Sequence, residues 1–204
     1  MTTTDELIPS GEASSFRSNP LRLAEFTLSR KDPAYVGRSK EVSAIETARQ
    51  SKNSPLKNTE IAEVYAKLKA LPSLAAIDPV KIGIGSTIYA TRPGDGSARE
   101  QAASCQRVLG AWANLCLEYA TKRYRSNLIN WGMVPFQGLD SSDVSNGEYV
   151  FIPGIRSAVM SGSAELKAYV IGDTVREITL TVAPLTDDEK KILAAGCLIN
   201  YYRG

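Results

Sequence analysis

The chain has 204 residues, 43% of them hydrophobic, which is enough for one domain with a sizeable core. Its 24 lysines and arginines nearly balance 22 aspartates and glutamates, so the net charge of +2 gives no strong field to recruit nucleic acid or an anionic membrane. No apolar stretch is long enough to span a bilayer and the N-terminus lacks a secretion-signal pattern, so we expect a cytoplasmic location.

The sequence contains no histidine, which excludes Ser-His and Cys-His dyads and imidazole metal ligands from this chain. Cys105, Cys116 and Cys197 are widely and unequally spaced, unlike a disulfide framework or an iron-sulfur run. We therefore expect buried, reduced thiols and no metal site within the chain.

Residues 1–38 are rich in turn signals and are predicted to form a long loop anchored at both ends, with only a short helical possibility at 21–28. The segment 39–79 is predicted to be a helical insertion and linker. It contains a helix over 39–50, a second helix capped by Asn58 or Thr59, and a linker over 72–79. Four apolar residues recur at helical spacing in that second helix: Ile61, Val64, Leu68 and Leu71.

The segment 80–136 is predicted to be the core of the domain. A strand over 81–91 contains glycines that indicate a closely approaching neighbour. The pattern then predicts a helix over 97–109 stopped by Gly110, a strand over 112–117 and a helix over 118–130. This order indicates parallel strands joined by a crossover helix.

The segment 137–204 is predicted to be β-rich and to end in a helix. Three short runs favour strands (148–152, 166–171 and 177–182), and a capping box from Thr186 to Glu189 begins the helix. The whole chain, 1–204, is thus expected to be a single α/β domain with a mixed sheet.

The stretch GDGSARE at 94–100 allows two interpretations of Ser97. In the first, Ser97 and Glu100 form an S-x-x-E capping box, and Gly94 and Gly96 supply positive φ angles for a tight turn. In the second, the free amides at a helix N-terminus stabilise an anion, and Arg99 clamps a carboxylate. From this loop alone the cap is favoured, because G-x-G-S is a common pattern.

Three separated segments, in order and over nearly the whole chain, resemble the swivelling C-terminal domain of the aconitase family. They are TTDELIPSGEASSFR at 3–17, GDGSARE at 94–100 and RSNLINWGMVPF at 125–136. The variant at 129–131 resembles the aconitase-related hydratases more than the citrate-cycle enzyme, and the chain is also similar to isopropylmalate isomerase small subunits. The resemblance implies a swivelling β/β/α domain, with a mixed β-sheet or barrel and flanking helices.

The resemblance also implies roles for individual residues. Ser97 matches the base that removes a carbon-bound proton, and Arg17 and Arg99 match arginines that bind substrate carboxylates. Asp5 and Gly96 match positions near the substrate. At Ala98 the family usually has a second serine that touches substrate, and its loss argues against citrate or isocitrate.

The same resemblance implies that the chain carries half of a site. The family's [4Fe-4S] cluster and proton-delivering histidines are expected in a partner domain or subunit, which we also expect to be required for activity. Both a natural small subunit and a C-terminal domain excised from a longer hydratase are consistent with this, and a start only one residue before the first motif favours excision. The expected activity is that of a hydro-lyase (aconitate hydratase-like), which dehydrates and rehydrates a di- or tricarboxylic hydroxy acid.

Two other functions remain as alternatives. One is a non-catalytic carboxylate-binding or regulatory module in which Ser97 is only a helix cap. The other is RNA binding, which the near-neutral charge disfavours, since the basic run at 122–125 is better explained as an exposed helix face. We expect Trp131, Met133 and Phe136 to pack in the core or at a domain interface.

Overall fold

A computed structural model describes all 204 residues and contains ten α-helices and eight β-strands. The helices are α1 (Thr4–Leu7), α2 (Ser10–Ala13), α3 (Pro20–Ala24), α4 (Tyr35–Gln50), α5 (Thr59–Lys69), α6 (Arg99–Val108), α7 (Lys122–Asn130), α8 (Ile155–Ser161), α9 (Asp187–Ala195) and α10 (Leu198–Arg203). The strands are β1 (Thr2–Thr3), β2 (Ser86–Ala90), β3 (Pro93–Asp95), β4 (Ala111–Cys116), β5 (Val134–Phe136), β6 (Tyr149–Phe151), β7 (Glu165–Ile171) and β8 (Val175–Thr181).

The strands form three sheets instead of the single mixed sheet that the sequence predicts. The order β2-β4-β5 is parallel, β6-β7-β8 is antiparallel, and β1 pairs with β3 in a separate parallel ribbon. One isolated bridge, from Gln137 to Thr181, links the two larger sheets. Pro135 in β5 has no N–H to donate, which is consistent with a short strand at the edge of its sheet and with the absence of a closed barrel.

The predicted parallel crossover is confirmed. Strand β2 pairs directly with β4, with Ile88 opposite Asn114, and α6 connects the two strands. The strand begins at Ser86 and not at residue 81, because the preceding glycines serve a different purpose. A Cβ atom at Gly83 or Gly85 would collide with the indole ring of Trp112, so these glycines allow that ring to lie on the backbone.

The N-terminal segment is more ordered than the predicted loop. It folds into α1, α2 and α3, and a capping box between Thr3 and Glu6 begins α1. Several of its apolar side chains enter the core around α6 and α7: Leu7, Ile8, Ala13, Leu23 and Ala24. Helix α3 overlaps the short helical possibility at 21–28, whereas α1 and α2, of four residues each, are too short to display a repeating apolar pattern and were not predicted.

The longer predicted helices are confirmed with small shifts at their ends. Asn58 caps α5, and Ile61 and Leu68 are buried against the antiparallel sheet. The capping box from Thr186 to Glu189 begins α9, which Gly196 ends in the left-handed conformation. Helices α8 and α10 were not predicted. None of the helices is both long and apolar enough to cross a bilayer.

The core is divided into three clusters of buried side chains. One surrounds α6 and α7, one lies between the parallel and antiparallel sheets, and one lies beneath α5. Met133 and Phe136 are fully buried and Trp131 packs against the first cluster, so their predicted packing role is confirmed. In the basic run at 122–125, Lys122 and Arg123 are exposed as expected, whereas Tyr124 is fully buried and Arg125 pairs with Glu189.

Candidate active site

The beginning of the chain and the GDGSARE loop are held together by backbone pairing. Strand β1 lies parallel to β3, with Thr2 opposite Pro93 and Thr3 opposite Asp95. The Thr2 N–H also donates to the Arg92 carbonyl oxygen at 2.9 Å. Segments that are about 90 residues apart in sequence therefore meet directly before α6.

Two glycines of this loop allow other elements to approach it closely. Gly94 and Gly96 have φ angles of +98° and +122°, which side chains rarely adopt. A Cβ atom at Gly94 would collide with the Tyr124 ring, and one at Gly96 would collide with the Thr4 hydroxyl. Thr121 also donates its hydroxyl to the Gly94 carbonyl oxygen at 3.1 Å. The loop is thus fixed between α1 on one side and α7 on the other.

Ser97 does not cap α6, so the capping-box prediction is wrong. The helix begins at Arg99, and Ala98 occupies the cap position with φ −81° and ψ 40° and no side-chain hydrogen bond. Ser97 lies one residue before the cap position, so its hydroxyl does not accept from the first N–H groups of α6. The residue is exposed and its hydroxyl makes no hydrogen bond within the chain. Glu100, the other half of the predicted box, instead accepts a hydrogen bond from the Trp131 indole N–H at 3.1 Å.

A cleft of about 390 Å³ lies at this end of α6. Six residues line it: Ser10, Arg17, Ser97, Ala98, Glu100 and Gln101. The first N–H groups of a helix have no intrahelical acceptor and carry partial positive charge, so this end of α6 favours an anion. Two of the sequence-predicted site residues, Ser97 and Arg17, therefore share one cleft.

Arg17 and Arg99 form no ion pair with a carboxylate of the chain. Arg17 is exposed and lines the cleft. Arg99 is partly buried and lies outside the lining, and its Nε atom is buried without a hydrogen-bond partner. An arginine without an acceptor next to an open cleft can bind a carboxylate bidentately.

Asp5 and Gly96, the remaining predicted site residues, do not line the cleft. The Asp5 carboxylate accepts from Arg30 at 2.9 Å, and Arg30 also pairs with Glu12 at 2.6 Å. Asp5 is thus engaged in an exposed ion-pair network. Gly96 contributes its backbone conformation to the loop, against Thr4.

The sequence did not predict that Ser10, Glu100 and Gln101 line the cleft. Gln101 directly follows the GDGSARE motif, and Ser10 lies within the N-terminal motif at 3–17. Neither sequence pattern shows which side chains face the cleft. Glu100 is the only acidic residue of the lining. Its hydrogen bond from Trp131 links the second and third motifs in space, which was not foreseen.

A buried polar cluster supports the loop from below. The Tyr124 hydroxyl accepts from the Gln106 side-chain amide at 2.9 Å and from the Asn114 side-chain amide at 2.8 Å. All three side chains are fully buried, and burial raises the pKa of Tyr124 above its ordinary value. The cluster joins α6, β4 and α7, the elements that position Ser97.

The cysteines do not fit an iron-sulfur cluster. Burial raises the pKa of Cys105 and of Cys116 to about 12, so both remain neutral thiols. Cys197 is partly exposed. No group of three or more histidine, cysteine, aspartate or glutamate side chains lies close enough to hold a metal ion.

Comparison with known proteins identifies a fold. No protein-family model and no curated protein matches the chain. The crystal structure of 3-isopropylmalate dehydratase (LeuD) from Methanocaldococcus jannaschii matches 98% of this chain and 86% of its own, at 18% identity and a TM-score of 0.53. The chain has the LeuD fold. This agrees with the fold that the three sequence motifs imply, and the likeness to LeuD is one of architecture.

Proposed function

We propose that the chain is the swivel domain or small subunit of an aconitase-type hydro-lyase that dehydrates and rehydrates a di- or tricarboxylic hydroxy acid. The observation that carries the proposal is the free Ser97 hydroxyl, which shares a cleft with the unpaired Arg17 at the start of α6. The LeuD fold supports it, because the protein of that structure is named as a dehydratase.

In the proposed reaction Ser97 Oγ takes a proton from the carbon next to a carboxylate. The electron pair of that C–H bond forms a carbon-carbon double bond as hydroxide leaves the neighbouring carbon. A serine alkoxide is basic enough for this step but is scarcely populated in water. The amides at the start of α6 and the guanidinium groups of Arg17 and Arg99 stabilise the negative charge, and this effect grows once a partner excludes water from the exposed cleft.

The chain contains no histidine, and no group of three or more histidine, cysteine, aspartate or glutamate side chains lies close enough to hold a metal ion. We therefore propose a partner domain or subunit that carries a [4Fe-4S] cluster, which supplies Lewis-acid assistance to the hydroxyl. The role of this chain is to bind carboxylates with its arginines, orient the substrate carbon against Ser97 and hold the abstracted proton on Oγ.

Ala98 lines the cleft beside Ser97 with a methyl group instead of a hydroxyl. Without a hydroxyl at this position, the cleft can form one hydrogen bond fewer with a substrate. We therefore propose a substrate with fewer polar groups than citrate or isocitrate.

The alternative of a non-catalytic module is weakened by the conformation of Ser97. It required Ser97 to serve as a helix cap, and the hydroxyl makes no capping bond. A module that binds carboxylates without catalysing a reaction is then distinguished from the proposed hydro-lyase only by the absence of turnover.

The test is reconstitution with a cluster-bearing large subunit of the aconitase family, with formation of the unsaturated acid measured by absorbance. Ser97→Ala is expected to lower kcat by roughly a hundredfold to ten-thousandfold while the substrate still binds, because a general base contributes about that factor. Ser73→Ala is the matched control and should keep full turnover, because Ser73 is an exposed serine of the short 3₁₀ helix Pro72–Leu74 and does not line the cleft. Wild-type turnover in Ser97→Ala would refute the assignment of the base.

A further inference from the structure

A second cleft, of about 270 Å³, lies at the opposite end of α6. It is bounded by α4, by the turn after α6 and by β4, and it shares no lining residue with the first cleft. A helix of ten residues is about 15 Å long, so the two clefts are separated by roughly that distance. The proposed function makes no use of this second cleft.

The cleft contains a cation whose charge is not balanced. Arg107 is partly buried, makes one hydrogen bond, to the Ala111 carbonyl oxygen at 3.1 Å, and forms no ion pair. Burial lowers the pKa of Arg107, as expected for a guanidinium that has lost water without gaining a carboxylate. Its remaining N–H groups are available to an acceptor in the cleft.

The one acidic residue of this cleft does not serve Arg107. Both Glu46 carboxylate oxygens accept from Arg49, at 2.8 and 2.7 Å, and the carboxylate also accepts from Gln50 and from the Ile84 N–H, both at 2.9 Å. Its charge is therefore met by Arg49, and its oxygens are occupied by hydrogen bonds from α4 and from Ile84. Arg107 is therefore the one charged side chain of the lining that has no oppositely charged partner.

The cleft also contains an exposed aromatic surface. The Trp112 ring lies on Gly83 and Gly85, whose missing side chains allow the contact, and the residue is still 38% exposed. Its indole N–H makes no hydrogen bond within the chain. The Ser43 hydroxyl, which also lines the cleft, is likewise without a partner.

We propose that this cleft binds a small organic anion with a flat apolar body, of the aromatic carboxylate class. The carboxylate accepts from Arg107 and from the Ser43 hydroxyl, and the ring of the ligand stacks on Trp112. A volume of about 270 Å³ admits a single ring with its carboxylate and excludes a large cofactor.

The test uses the full chain and the two indole N–H resonances in nitrogen-proton correlation spectra. The chain has two tryptophans, Trp112 in this cleft and Trp131 beside the first, so Trp112→Phe and Trp131→Phe assign the peaks. Benzoate is expected to shift the Trp112 resonance saturably, with a Kd on the order of millimolar for a ligand of this size. Neutral benzamide, of the same shape, should bind at least about tenfold more weakly, because it lacks the charge that meets Arg107.

Arg107→Gln is expected to weaken benzoate binding by roughly tenfold or more, since it removes a charge-assisted hydrogen bond. Arg123→Gln, an exposed arginine without partners, is the matched control and should bind as the wild type does. The proposal is overturned if benzoate leaves the Trp112 resonance unmoved, if benzamide binds equally well, or if Arg107→Gln binds benzoate unchanged. If Arg107→Gln does not fold, the comparison of benzoate with benzamide on the wild type decides the question.

The same spectra separate this inference from the proposed function. Propane-1,2,3-tricarboxylate, a carboxylate probe for the first cleft, is expected to move the Trp131 resonance through Glu100 and to leave that of Trp112 in place. If the tricarboxylate shifts the Trp131 resonance but benzoate does not shift that of Trp112, only the proposed ligand site in the second cleft is overturned.

Discussion

Arginines at two places in the molecule have opposite surroundings. At the junction of α7 and α9, Arg125 donates to Glu189 at 3.3 Å and to the carbonyl oxygens of Ala183 and Pro184, both at 3.1 Å. At the start of α6, Arg17 and Arg99 have no carboxylate partner. The same side chain thus joins two helices in one region and leaves its charge available in the other.

The difference indicates how the molecule separates structure from function. Gly94 and Arg125 are packed or hydrogen-bonded within the chain, whereas Ser97 and Arg17, which line the cleft, make no hydrogen bond within it. Changes to the first group should lower the free energy of unfolding, and changes to the second should leave it nearly unchanged. The following four predictions test this separation.

The largest effect is expected at Gly94. Gly94→Ala adds a Cβ atom against the Tyr124 ring at a φ of +98°, so strain and overpacking should together reduce the free energy of unfolding by about 3 kcal/mol or more. Gly147→Ala is the control, because its φ is +89° but nothing lies within 4 Å, and it should cost only about 1 kcal/mol. Urea unfolding measures both, and equal losses would show that the Tyr124 contact is unimportant.

Arg125→Ala comes next. It removes three hydrogen bonds and leaves Glu189 without its cation where the two side chains are only 15% and 21% exposed, so we expect a loss of about 3 kcal/mol. Arg123→Ala, on the same helix but exposed and unpaired, should cost less than about 0.5 kcal/mol. A similar midpoint of urea unfolding for the two variants would contradict the comparison.

Glu46 gives a smaller effect that depends on pH. Burial raises the pKa of Glu46, but hydrogen bonds from Arg49, the Ile84 N–H and Gln50 outweigh burial and hold that pKa below its ordinary value of 4.5. A lowered pKa in the folded state contributes stability that is complete above pH 4.5 and is lost as the pH falls through the folded value.

Glu46→Gln should therefore reduce the free energy of unfolding by about 1 to 2 kcal/mol at pH 7. The difference from the wild type should shrink as the pH is lowered below 4.5. Urea unfolding of both chains across this range is the measurement, and a difference that stays constant with pH would rule out the carboxylate as its source.

The smallest effects are expected in the lining of the first cleft. Ser97→Ala and Arg17→Gln should each change the free energy of unfolding by less than about 0.5 kcal/mol, because neither side chain makes a hydrogen bond within the chain. Thr186→Ala, at a true helix cap, is the control and should cost about 1 kcal/mol. A loss in Ser97→Ala as large as in Thr186→Ala would restore the helix-cap interpretation.

The sequence predicted the long elements of the fold well. The helices α4, α5 and α9 and the strands β2, β4, β7 and β8 all show periodic apolar residues or clear caps and turns. It failed for α1 and α2, which are too short to repeat a pattern. It also failed for the arrangement of the sheets, because strand pairing depends on contacts between distant segments.

For the candidate site, the motifs named Ser97, Arg17 and Arg99 but not their surroundings. The capping-box prediction failed by one residue, since only backbone conformation decides whether Ala98 or Ser97 occupies the cap. The hydrogen bond between Glu100 and Trp131 crosses 31 residues, and no local pattern encodes it.

By itself, the amino-acid sequence determined which groups are present for chemistry: a serine and arginines near glycines, no histidine, and too few cysteines in any one place for a cluster. It also determined that the long helices form and roughly where they lie, because periodicity, caps and stops act over a few neighbouring residues. Tertiary structure alone decided that Ser97 is free, that Arg17 reaches its cleft while Asp5 is held by Arg30, and that Arg107 remains unpaired at the other end of α6. The reason is physical, since the availability of a polar group depends on every partner that folding brings within hydrogen-bond distance.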